Sequence, residues 1–81
     1  MIPEWTAISA TWAAYVHTGD SSTGGLLTIQ LRSGRDIDRA INEAVTAAES
    51  AGYVMVDRGL RGITRAVIRV RRDREAAGQP L

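Results

Sequence analysis

The sequence predicts a small α+β domain of two layers, ordered ββαββ, with one amphipathic helix packed across a mostly antiparallel sheet. Three observations point to it. Apolar residues recur at helical spacing through 36–51, apolar and polar residues alternate through 26–32 and 63–72, and Gly-containing clusters separate these runs. The chain of 81 residues accommodates one core, and a domain of this size buries only about 60% of its unfolded surface. Ordering it costs on the order of 120 kcal/mol of conformational entropy, so a core this thin leaves little margin. With no Cys in the chain, a disulfide or a thiolate metal site cannot supplement it. Association with a second copy, a dimer first, is the expected support. The expected boundaries are a domain over 1–72 and a flexible C-terminal tail over 73–81.

Residues 3–17 satisfy two periods. As a strand, Ile8, Ala10, Trp12, Ala14 and Val16 share one face, and Trp5, Ala7, Ser9, Thr11, Ala13, Tyr15 and His17 the other. As a helix, Trp5, Ile8, Trp12 and Tyr15 or Val16 form a stripe, with Pro3 near its start and Gly19 past its end. The Thr, Ile, Val and aromatic content favours the strand; the helix would make the order αβαββ. The strand reading turns Trp5 and Tyr15 away from Trp12, as an aromatic surface for the helix or a second subunit to cover.

The later elements follow from their own periods. Leu27, Ile29 and Leu31 alternate with Thr28, Gln30 and Arg32 in a half-buried strand over 26–32. The helix over 36–51 buries Ile37, Ile41, Ala44, Val45 and Ala48 and keeps Asp38, Arg39, Asn42, Glu43, Thr46 and Glu49 outward. Ser33 with Asp36, or Asp36 alone, caps its start, and Gly52 suits a left-handed residue past its end. Tyr53–Asp57, apolar on both sides, fits an interior strand. In the last strand Ala66, Ile68 and Val70 share one side and Arg65, Val67, Arg69 and Arg71 the other, with the RGLRG of 58–62 as the hairpin turn before it.

Charge is uneven along the chain. Residues 1–57 carry three Arg against seven acids, a net of −4, and 58–81 carry seven Arg against two acids, a net of +5. All ten cations are Arg and twelve residues are Ala, a bias resembling that of proteins from GC-rich bacteria and their phages. No stretch approaches the roughly 18 apolar residues of a membrane span, and Met1–Trp5 opens no secretory leader. A cytoplasmic protein without membrane contact is expected.

Candidate chemistry is sparse. Gly19-Asp20-Ser21-Ser22-Thr23-Gly24 begins like a phosphate-binding loop, but Gly25 and Leu26 stand where Lys and a Mg²⁺-binding hydroxyl are needed. His17 near Asp20, Ser21 and Ser22 lacks an orienting group and an oxyanion site, and no carboxylate pair stands isolated on an apolar face. No catalytic residue, metal site or cofactor is expected. The specific feature is the Arg series: Arg65, Arg69 and Arg71 on one strand face, Arg58 and Arg61 at the preceding turn, and Leu60 between those two as a contact anchor. Such an array suits an acidic protein partner or a nucleic-acid backbone; a charged strand can equally be a solvated face. The expected function is a small oligomeric binding protein, an accessory regulator or inhibitor of phage or bacterial type, presenting the Arg hairpin to an acidic partner. A structural assembly subunit, such as a minor phage particle protein, and a nucleic-acid binder are the alternatives.

Overall fold

A computed structural model describes residues 3–18 and 25–72. Its elements are β1 (Trp5–Ile8), β2 (Trp12–Thr18), β3 (Gly25–Leu31), α1 (Ile37–Ser50), β4 (Tyr53–Arg61) and β5 (Arg65–Arg72). They form one antiparallel sheet in the order β1-β2-β3-β5-β4, with α1 on one side of it. The α+β class and the single helix on the sheet are as predicted.

The expected first strand is split into a hairpin. Ser9 makes the reversal: its Oγ accepts from the backbone N–H of Thr11 and Trp12, both at 3.1 Å, and its own N–H donates to the Trp12 carbonyl at 2.8 Å. A hydroxyl that captures two backbone donors offers the chain an alternative to a continuing ladder. The returning chain pairs Trp5 with Val16 and Ala7 with Ala14. Directly opposed residues share a face, so Trp5 and Ala7 lie on the helix side with Trp12, Ala14 and Val16. Trp5 is thus corrected: it leaves the side of Tyr15 and packs against Tyr53, ring centroids 6.1 Å apart. Ile8 moves the other way and is largely exposed.

Between sheet and helix lies the core: Trp12, Ala14, Val16, Leu27, Ile29, Ala66, Ile68 and Val70 meet Ile37, Ala40, Ala44 and Ala48. The Asp36 carboxylate accepts from the Arg39 N–H at 3.0 Å and caps α1, and Gly52, at φ 98°, follows its C-cap. Three Ala on the buried stripe let the helix axis approach the sheet closely.

The C-terminal hairpin differs from expectation in two ways. Tyr53–Asp57 belongs to an edge strand and not an interior one; its two apolar sides arise because Tyr53 and Met55 pack on the core while Val56, beside a register shift, is half exposed. Residues 58–61 continue β4 instead of turning, with bulges between Met55 and Asp57 and between Asp57 and Leu60. Gly59 takes φ 62° in the second bulge, where a Cβ would meet the Val67 carbonyl oxygen at 1.9 Å. The reversal comes later, closed by the Gly62 N–H donating to the Arg65 carbonyl at 2.7 Å, so Ile63 and not Leu60 stands at the tip. The bulges also interrupt a long free edge.

Candidate functional site

The side of the sheet away from α1 has no layer over it among the described residues. Registers place its side chains in rows running from β1 across to β4. One row is Ile8, Ala13, Gln30 and Arg65; the next is Thr6, Tyr15, Thr28, Val67 and Leu60; a third is His17, Leu26, Arg69 and Asp57; Arg71 and Val54 end the face. Thr28 is only 6% exposed, flanked in its row by Tyr15 and Val67. Leu26 and Leu60 are exposed, Leu60 at 76%. Tyr15 and His17 meet edge to face, centroids 5.2 Å apart.

The described charges on this face are Arg65, Arg69, Arg71 and Asp57. Arg69 reaches Asp57 at 3.4 Å, while Arg65 and Arg71 have no ion-pair partner among the described residues. Among the described residues the face thus keeps a surplus of two positive charges along one strand. Arg61 is turned to the other side, where its guanidinium donates two bonds of 2.7 Å to Asp38 on α1. Arg61, expected beside the other Arg of the hairpin, thus faces the helix side instead. The Arg58 side chain, the Gly-rich loop 19–24 and the tail 73–81 lie outside the described residues.

The helix side carries polar contacts that sequence spacing does not reveal. Trp12 donates its indole N–H to Glu43 at 2.9 Å, and Glu43 also accepts from Arg39 at 3.3 Å. Tyr53 donates its hydroxyl to Glu4, beside Arg72, whose guanidinium lies 5.9 Å from the Tyr53 ring centroid. Burial first, then the Glu4 hydrogen bond and charge, pushes the Tyr53 phenol up to about 12. These are closures of the fold: the only chemical groups they bring together are already satisfied by one another.

No known protein family, characterised protein or solved structure matches the chain. Chemistry must be read from the residues alone. A cleft of about 680 Å³ between α1 and β4 is lined by Ile41, Val45, Met55 and Leu60 among others, with Asp38 and Arg61 bridged at its edge. A depression of about 530 Å³ beside the start of α1 is lined mainly by exposed residues such as Ser33, Arg35 and Arg39. Among the described residues no three His, Asp or Glu gather as a metal site, and the His17 ring packs against Tyr15. No helix of the described chain is long and apolar enough to cross a membrane. The open sheet face, where Tyr15, Leu26 and Val67 lie beside the Arg stripe of β5, is the candidate site.

Proposed function

We propose that this chain is a small non-enzymatic binding protein, an accessory regulator or inhibitor, that takes an acidic protein partner on the open face of its sheet. The observation that carries the reading is the union of Tyr15, Leu26, Val67 and Leu60 with Arg65, Arg69 and Arg71 on one surface that no described element covers. Tyr and Arg are the residues that dominate protein interfaces when apolar neighbours exclude water around them. A carboxylate received by Arg65 or Arg71 in such surroundings forms a charge-assisted hydrogen bond, contributing about 1.5–3 kcal/mol.

Nucleic acid is the second reading, supported by two rings and three Arg on one face. The aromatic pair weighs less for this reading, because the two rings stand nearly perpendicular, the edge of one against the face of the other, and form no flat platform. Exposed Ile8, Leu26 and Leu60 suit a protein better than a sugar–phosphate chain.

The test is affinity capture with wild type and with the Arg65→Glu/Arg71→Glu double variant, from nuclease-treated and untreated lysates. Each captured protein is then purified and titrated directly at several salt concentrations. An acidic protein retained after nuclease treatment, with affinity lowered at least tenfold by the double variant, is expected. Binding that disappears with nuclease, or that ignores the two substitutions, overturns the reading.

A further inference from the structure

Resting on that reading, we infer that the element of the partner seated on the open face is an acidic amphipathic helix, lying along β3 and β5 over Thr28. The middle of a sheet face offers side chains only, since its N–H and C=O groups are consumed in the ladders on either side. An extended segment laid there would lose water from its own backbone without gaining partners, so each buried group would be left unpaired at a net cost. A helix satisfies its backbone internally. The chain already uses this solution on its other side, where α1 covers the sheet with an apolar stripe.

Dimensions and charge agree with this occupant. Arg65 and Arg71 are six positions apart on β5, about 20 Å along a strand, which matches roughly 13 helical residues. Carboxylates near the two ends of a helix of three to four turns would meet both cations. Its apolar stripe would rest between Tyr15, Leu26 and Val67, over Thr28. A second copy of this chain fits poorly. Face against face, two surfaces each with a surplus of two positive charges repel; its own helix, turned outward, offers Asp38, Arg39, Asn42, Glu43, Thr46 and Glu49, all exposed and polar, with nothing to bury against Leu26 and Leu60.

Three probes separate the outcomes by backbone-amide chemical-shift mapping and titration of the full chain. The first is a synthetic Leu/Glu peptide of about 18 residues with Leu at i, i+3, i+4 and i+7. The second is the same composition shuffled to break that spacing, and the third is a thymidine homopolymer. The expected result is that the patterned peptide alone shifts Tyr15, Leu26, Thr28 and Val67. Its affinity falls at least tenfold in the Arg65→Glu/Arg71→Glu variant and is unchanged in Arg35→Glu, a charge control beside the start of α1. Retained spectral dispersion shows that each variant folds. Equal binding of the shuffled peptide overturns the helix while leaving an acidic partner in place. Binding of the homopolymer with both peptides inert overturns the helix and the acidic-protein reading together. Shifts confined to the cleft between α1 and β4, or none at millimolar peptide, overturn the helix on this face.

Discussion

Gly59 decides where β4 stays paired to β5. Its φ of 62° is one that L side chains rarely adopt, and the Val67 carbonyl oxygen occupies the place of a Cβ at 1.9 Å. Gly59→Ala must move a backbone oxygen of the C-terminal hairpin, so strain and lost pairing together should cost about 2–3 kcal/mol, read as a lower urea midpoint. Tyr53 gives a second single-residue prediction, with a sign. Its phenol is raised from 10.0 to about 12, so between those values the unfolded chain has released a proton that the folded chain still holds. Stability contributed by the neutral phenol is therefore complete below pH about 10 and is lost as pH rises toward 12. Urea midpoints measured across this range should fall in wild type and fall less steeply in Tyr53→Phe; identical slopes would remove Tyr53 as the cause. Neither this contact nor the Trp12–Glu43 bond was legible in the sequence. Their partners stand 49 and 31 positions apart, and no local period connects residues across such separations.

At the scale of elements, legibility followed completeness of the period. The helix, β3 and β5 each repeat one pattern without interruption, and β5 matches its reading, Ala66, Ile68 and Val70 opposite Arg65, Arg69 and Arg71; α1 buries Ala40, outside the expected stripe, more deeply than Ile41 and Val45, and β3 buries Thr28 along with Leu27 and Ile29. Residues 3–17 misled because the two-residue period runs on through a tight reversal that one hydroxyl, Ser9, creates. One reversal moved Trp5 to the core side and emptied half of the expected aromatic surface. The open face itself was readable only in its β5 stripe, since the neighbours of that stripe come from strand order. Packing of α1 makes its own prediction. Ala44 is fully buried between helix and sheet, so Ala44→Leu should overfill that contact and cost about 1–3 kcal/mol, visible as a reduced Tm. The Arg61–Asp38 bridge, despite two bonds of 2.7 Å, is more than half exposed on both sides. A double-mutant cycle on this pair should return no more than about 1 kcal/mol of coupling.

For the whole molecule, the direction of salt dependence distinguishes what the open face is for. Segregating three of the Arg on one side of the sheet, with Asp57 as the only described acid there, leaves a positive surface on a chain whose formal net charge is only +1. Two such faces brought together gain apolar burial and lose electrostatically, and added salt screens only the loss. Self-association through the sheet would therefore strengthen with ionic strength. An acidic partner gives the opposite dependence, because screening weakens the attraction while the apolar contacts persist. Light scattering after size exclusion at low and high salt measures the first, and titration of the captured partner at the same concentrations measures the second. The expected pair of results is a chain whose mass does not grow between low and high salt, with a partner Kd that rises over the same interval. Growth of a dimer with salt, together with a partner affinity indifferent to it, would assign the open face to a second copy and remove the Arg stripe from recognition.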